Sequence, residues 1–176
     1  MDYNVLRIKG NTMNKSLKKY STIGLAGIVI LFIASCDPAK KYEKQEQEEI
    51  DTYLSAHSDQ VFVRKTSGLY YYESETGTGL QAEKLDTAYV YYTGKFLNGN
   101  TFDTNIGTGN PLIFLVDVGY LIPGFDEGVT YMKTGGKSQF LIPSYLGYGN
   151  TGYRMPAFTP LLFEVSLVKL GKAPAR

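Results

Sequence analysis

The sequence predicts an α+β fold: an antiparallel sheet with one short central helix, preceded by a separate N-terminal region. From Val61 onward, short runs rich in Val, Tyr, Phe and Thr alternate with Gly, Asn and Ser turn signals, which is typical of antiparallel strands. One segment in their midst, beginning Ile122-Pro123, has the proline that suits a first helical turn. The 176 residues are enough for one domain with an appendage and too few for two full domains.

The N-terminal region has the pattern of an export signal. Basic residues following Met13 precede an uncharged, mostly apolar run from Ser21 to Ala34. The run is shorter than the roughly 20 residues of a transmembrane helix and fits the apolar part of a signal peptide. We therefore expect residues 1–35 to be a signal peptide, with translation starting at Met1 or Met13.

The end of this signal carries the only cysteine of the chain. Ile33-Ala34-Ser35-Cys36 resembles the bacterial lipobox, in which cleavage leaves the cysteine as a lipidated N-terminus. We therefore expect Cys36 to be lipidated and to anchor the protein to a membrane of the cell envelope, facing the periplasm. The alternative is an ordinary signal peptide in which Cys36 is a buried cysteine that falls at this position by chance.

The charge balance changes when the leader is set aside. The chain has 18 Lys and Arg against 17 Asp and Glu, and residues 1–35 hold five of the basic and one of the acidic residues. The remainder has 13 basic against 16 acidic residues, so neither nucleic acid nor a basic membrane-binding patch is expected. Membrane attachment would then rest on the lipid.

Residues 36–60 are predicted to be a polar tether that passes into a short helix. The run from Asp37 to about Glu49 has almost no apolar content. Ile50, Tyr53 and Leu54 then have helical spacing, which predicts a helix ending at about His57.

The globular domain is expected over residues 61–172, and its elements follow in order. Asn98-Gly99 predicts a tight hairpin turn. The central helix should run from Ile122 to about Met132, and Gly135-Gly136 should close it. Strands are predicted at Val61–Lys65, Leu69–Glu73, Thr87–Phe96, Thr101–Asp103, Leu112–Val116, Lys137–Ile142 and Leu161–Leu170, the last with Phe163, Val165 and Leu167 facing the core.

Composition argues against several kinds of chemistry. One Cys allows no internal disulfide, and one His leaves few ways to build a catalytic triad or a metal site. Gly147–Gly152 spells G-x-G-x-x-G, but Pro143-Ser144 separates it from the preceding strand and Pro156 blocks a following helix, so a nucleotide site is not expected. We expect no cofactor and no metal.

From Thr87 to Leu170 the chain resembles the FKBP-type peptidyl-prolyl cis-trans isomerases. The resemblance is carried by separated motifs in matching order: Val90-Tyr91-Tyr92-Thr93-Gly94, Phe102-Asp103, Leu121–Gly128, Gly147-Tyr148-Gly149 and Leu161-Leu162-Phe163-Glu164-Val165. It implies a half-wrapped antiparallel sheet around the short helix, with a proline-binding pocket between them.

The resemblance also implies roles for particular residues. Asp103, Tyr148 and Phe102 would be catalytic, and the substrate-binding residues would be Tyr92, Leu112, Leu121, Ile122, Phe125, Met155 and Phe163. The chain departs from the family at three places: Phe125 stands where Trp is usual, Thr108 where an Arg often pairs with the pocket Asp, and Tyr153–Ala157 replaces the usual apolar flap.

The leading hypothesis is a monomeric, lipid-anchored prolyl isomerase that assists the folding of exported proteins and binds proline-containing polypeptides. Two alternatives remain: an FKBP-fold chaperone or peptide-binding module without catalysis, and a structural lipoprotein that only shares the fold. The scarcity of His and Cys does not argue against the enzyme, because rotation about a peptide bond needs neither nucleophile nor metal.

Overall fold

A computed structural model describes residues 38–152 and 155–172. The predicted signal peptide, Cys36 and the first two flap residues, Tyr153 and Arg154, lie outside the described residues. The chain divides after Lys40 into two compact units, and the packing described below belongs to the unit that begins at Lys41.

The described residues form a seven-stranded sheet with two α-helices. The sheet order is β1-β2-β6-β7-β3-β4, β5 also pairs with β3, and every pairing is antiparallel, which confirms the α+β fold. In chain order the elements are α1 (Pro38–Ala56), β1 (Val63–Arg64), β2 (Tyr70–Glu75), β3 (Thr87–Phe96), β4 (Thr101–Thr104), β5 (Leu112–Leu115), α2 (Pro123–Thr130), β6 (Lys137–Ile142), a 3₁₀ turn (Ser144–Leu146) and β7 (Leu161–Gly171).

Strand β3 organises the side of the sheet that bears the candidate site. One edge pairs with β7 along its whole length, from Thr87 opposite Gly171 to Phe96 opposite Leu161. The other edge is shared, with β5 beside its first residues and β4 beside its last. Residues on β3, β4, β5 and β7 are thereby brought to one region of the sheet.

Helix α2 lies close against β6 because two of its residues are glycines. A Cβ on Gly128 would come within 2.7 Å of the Phe140 ring, and one on Gly124 within 2.6 Å of Ile142. The helix therefore buries Phe125 and Val129 in the main core, which also contains Phe140. The predicted helix extended to about Met132, whereas α2 ends at Thr130.

The predicted tether is wrong for residues 38–49, which form the first two thirds of the 19-residue helix α1. Glu46 and Ile50 are buried, four positions apart on one face of the helix. Ile50 packs in a second apolar cluster with Leu141 and Leu162. Tertiary contacts therefore stabilise a helix whose sequence has only a weak apolar stripe. Neither described helix combines the length and the hydropathy needed to cross a bilayer.

Candidate active site

Nine of the ten predicted pocket residues line one cavity of about 90 Å³. They come from four strands, from α2 and the segment before it, and from the loop after the 3₁₀ turn; they are Tyr92, Phe102, Asp103, Leu112, Leu121, Ile122, Phe125, Tyr148 and Phe163. Met155 does not belong to this lining. The cavity is smaller than the several hundred Å³ of sites that hold drug-sized ligands, so it suits one small apolar ring.

Phe125 forms the floor of the cavity and is only 3% exposed. Its ring meets four other aromatic rings edge to face, with centroid distances of 5.1 Å to Phe163, 5.7 Å to Phe140, 5.9 Å to Tyr92 and 6.1 Å to Phe114. Such edge-to-face contacts are favourable because the positive edge of one ring meets the negative face of the next. The floor is therefore a fixed aromatic surface.

Phe102 forms a side wall and depends on a glycine in β3. Its ring packs between Phe96 and Phe163, at centroid distances of 5.2 and 5.6 Å. A Cβ on Gly94 would lie 2.6 Å from the Phe102 ring. The glycine in Tyr92-Thr93-Gly94 therefore makes room for the wall.

Asp103 is supported by Tyr92. The Tyr92 hydroxyl donates a 2.6 Å hydrogen bond to the Asp103 carboxylate. Burial, followed by this hydrogen bond, raises the pKa of Tyr92 to about 12, so the phenol keeps its proton at neutral pH. The Thr108 hydroxyl instead donates to the backbone carbonyls of Asn105 and Asn110, at 2.8 and 3.2 Å. The side chain that supports Asp103 is thus the neutral phenol of Tyr92, and Thr108, at the position of the family's arginine, bonds to backbone carbonyls instead.

Asn105, which the sequence did not mark, joins the wall of the site to β3. Its amide oxygen accepts the Tyr92 N–H at 2.7 Å, and its amide nitrogen donates to the Val90 carbonyl at 3.1 Å. These bonds lie at the point along β3 where the neighbouring strand on that edge changes from β5 to β4. The amide side chain therefore fixes the backbone of Tyr92 on the edge of β3 that neither β5 nor β4 covers at this residue. The only available signal was that Asn follows a predicted strand in a turn-rich segment.

Asp126 also has a role that the sequence did not predict. Its carboxylate is 5% exposed and accepts the Asp117 and Gly119 N–H groups, at 2.7 and 2.9 Å. As the acidic residue in the first turn of α2, Asp126 also lies favourably at the positive end of the helix dipole. The structure adds that Asp126 fixes the loop that leads into the lining residues Leu121 and Ile122.

Two polar groups at the cavity can serve a bound ligand. Within residues 38–152 and 155–172 the Tyr148 hydroxyl has no hydrogen-bonding partner, although it lines the cavity. Ile122 stands at the N-cap of α2, and its backbone N–H precedes the first helical turn. With Asp103 at the side, the cavity pairs an apolar aromatic interior with two donors and one carboxylate.

The sequence model of the FKBP-type peptidyl-prolyl cis-trans isomerases matches residues 79–168. The chain is 36% identical over 139 residues to the FKBP-type peptidyl-prolyl cis-trans isomerase FkpA of Aeromonas hydrophila, covering 78% of this chain and 51% of that protein. It is 40% identical over 105 residues to the FK506-binding protein of Neisseria meningitidis serogroup B, covering 58% of this chain and 96% of that protein.

Solved structures are similar over most of the chain. The crystal structure of FkpA from Escherichia coli superposes with a TM-score of 0.67 at 27% identity, covering 93% of this chain and 76% of that one. A peptidyl-prolyl cis-trans isomerase from Pseudomonas syringae superposes with a TM-score of 0.63 at 26% identity, covering 79% of this chain and 100% of that one. The chain spans about half the length of the FkpA proteins that it matches in sequence.

Proposed function

This chain belongs to the FKBP-type peptidyl-prolyl cis-trans isomerase family, and from that membership we propose that it catalyses cis-trans isomerisation of the peptide bond before proline in polypeptides. The observation that carries the proposal is the meeting of nine residues, drawn from four strands, α2 and two loops, around one small aromatic cavity.

The chemistry fits a cavity without a nucleophile. Rotation about the peptide bond must overcome amide resonance, a barrier of about 18–20 kcal/mol, and breaks no covalent bond. The planar amide is the more charge-separated form, and it loses part of that separation as it twists. An apolar cavity therefore disfavours the planar form relative to the twisted one, which is the differential binding that lowers a barrier.

The residues that line the cavity have different roles in this reaction. The prolyl ring packs against Phe102, Phe125 and Phe163. The Tyr148 hydroxyl and the Ile122 N–H donate hydrogen bonds to substrate carbonyl oxygens and hold the chain on either side of the rotating bond. The Asp103 carboxylate, kept in place by Tyr92, orients the twisted carbonyl through its charge.

We also propose that the protein is a lipoprotein of the cell envelope, anchored through Cys36 and acting on exported proteins as they fold. The support is the sequence: a basic stretch, an apolar run and Ile33-Ala34-Ser35-Cys36 in that order. Two or more acyl chains at Cys36 would give stable anchoring, since each buried methylene contributes about 0.8 kcal/mol. Metabolic labelling with a fatty-acid probe tests this proposal, and labelling that persists in Cys36→Ser would exclude Cys36 as the site.

Refolding of a protein whose slow phase is limited by proline isomerisation tests the proposed activity. The chain should accelerate that phase in proportion to its concentration, and Phe102→Ala should lose most of the acceleration. The non-catalytic alternative is favoured by one observation, the support of Asp103 by a neutral phenol. Binding of a proline-containing peptide without acceleration would establish that alternative and refute the enzyme.

A further inference from the structure

Helix α1 contacts the loop that carries Tyr148 through a buried carboxylate. Glu46 is only 7% exposed, and both of its carboxylate oxygens accept hydrogen bonds from Ser144. One oxygen accepts the Ser144 backbone N–H, and the other accepts the Ser144 hydroxyl at 2.7 Å. Charged acceptors make the stronger hydrogen bonds in proteins, so this pair fixes Ser144 against the helix.

Ser144 in turn fixes the backbone on both sides of Tyr148. Its carbonyl oxygen accepts the Gly147 N–H at 2.9 Å and the Gly149 N–H at 2.8 Å. Gly149 has a φ of +76°, and glycines restrict the backbone least of all residues. Tyr148 therefore lies between two permissive residues, and its placement depends on the oxygen to which both are bonded.

A second contact from α1 supports the same loop farther on. Tyr42 stacks on Phe158 with a centroid distance of 5.4 Å, and the Phe158 N–H donates to the Gly149 carbonyl at 3.2 Å. Phe158 has a φ of +56°, a left-handed conformation that is costly for a bulky residue. Surrounding contacts must hold such a residue in place, and the Tyr42 ring is one of them.

We propose that Glu46 is a positioning residue for the isomerase reaction and that it acts through Ser144 on Tyr148. The proposal rests on the proposed function, because Tyr148 must act on a substrate for its position to matter. Glu46 lies 33 residues before the family match begins, so this contribution comes from outside the matched region.

Three variants separate positioning from simple docking of the helix. Glu46→Ala should lower kcat/KM by about tenfold, because small displacements of a substrate-contacting group are costly. Glu46→Gln should retain most of the activity, since its amide oxygen can accept the Ser144 N–H and its amide nitrogen can donate to the Ser144 hydroxyl. Glu48→Ala is the matched control: it removes an exposed carboxylate of α1 whose 3.5 Å pair with Lys44 contributes little.

A double-mutant cycle tests the route through Tyr148. If Glu46 acts through that residue, Glu46→Ala should cost little further activity in a Tyr148→Phe background, because the two changes remove one interaction. Equal fold-losses in the wild-type and Tyr148→Phe backgrounds would overturn the proposal, as would an active Glu46→Ala. Should Glu46→Ala fail to fold, Ser144→Ala takes its place in the cycle with the same two outcomes.

Amide hydrogen exchange tests whether Glu46 fixes the loop, independently of any isomerase activity. Full-chain protein in detergent micelles would be followed by NMR at the Gly147 and Gly149 amides. Glu46→Ala should accelerate exchange at both relative to Glu48→Ala, and equal rates would overturn the proposed route. A wild-type chain that lacks isomerase activity would refute the proposed function, and the exchange rates would still decide whether Glu46 fixes the loop.

Discussion

Tyr148→Phe removes one oxygen atom from the candidate site and should separate activity from stability. Within the described ranges the Tyr148 hydroxyl has no partner, so its loss should change the free energy of unfolding by less than about 0.5 kcal/mol. If the hydroxyl donates to a substrate carbonyl, the loss of a neutral hydrogen bond worth about 0.5–1.5 kcal/mol is expected. That energy corresponds to a decrease of about two- to twelvefold in kcat/KM.

The assay is NMR exchange or proline-limited refolding at several substrate concentrations, together with urea unfolding of each variant. Tyr120→Phe is the control, because Tyr120 is 73% exposed, precedes the lining residue Leu121 and does not line the cavity itself. Unchanged kcat/KM in Tyr148→Phe would refute the role of the hydroxyl. A loss of unfolding free energy above about 1 kcal/mol would show instead that the hydroxyl is structural.

Three further substitutions probe the side wall, the floor and the phenol that supports Asp103. Phe102→Ala should reduce isomerase activity by more than about tenfold while the chain stays folded. The ring is half-buried, and its loss leaves Phe125 and Phe163 in place. Activity assays measure the first effect, and circular dichroism checks that the chain is folded. Phe125→Trp should retain activity and, since the chain has no other Trp, should give a fluorescence signal that responds to a proline-containing peptide; a silent signal would argue against the floor position. The pKa of Tyr92 is raised from 10 in the unfolded chain to about 12 in the folded chain, so the unfolded chain loses the phenol proton at lower pH. The contribution of Tyr92 to the free energy of unfolding is therefore complete below pH 10 and is lost as the pH rises towards 12. Tyr92→Phe should flatten that decline in urea unfolding at high pH, and an unchanged slope would contradict the raised pKa.

Local pattern was enough to predict the strands that form the middle of the sheet. β3 and β6 occupy the predicted residues, Thr87–Phe96 and Lys137–Ile142. In β7 the predicted inward residues Phe163, Val165 and Leu167 are buried, while Glu164 and Ser166 are not. These strands are buried on at least one face, so the period-two pattern of apolar residues follows the structure directly.

Local pattern failed where distant residues decide the structure. The predicted tether is rich in Glu, Lys and Gln, which are good helix formers, but it lacks a continuous apolar stripe. Its buried polar residue, Glu46, bonds with a partner 98 positions away. In β1 only Val63–Arg64 pair with β2, although five residues were predicted.

The polar residues that shape the candidate site were harder to predict than its lining. The lining residues follow from the family resemblance position by position, and the structure brings nine of them to one cavity. Asn105, Asp126 and Glu46 act through backbone N–H and C=O groups of other segments. Such bonds depend on the backbone geometry of both partners, which residue type and spacing do not specify.

The physical unit that carries the candidate site extends beyond the family match at its N-terminal end. The match begins at residue 79, yet β2, which ends at Glu75, pairs with β6 along the edge that would otherwise be unpaired. Alternate residues of β6 face opposite ways: Phe140 and Ile142 enter the main core beneath the cavity, and Leu141 enters the second cluster with Ile50 of α1. β6 then leads through Pro143 to Ser144, where Glu46 holds the loop. Because β6 packs through Leu141 against Ile50 of α1 and pairs with β2, the N-terminal segment forms part of the structure on which the placement of Tyr148 depends.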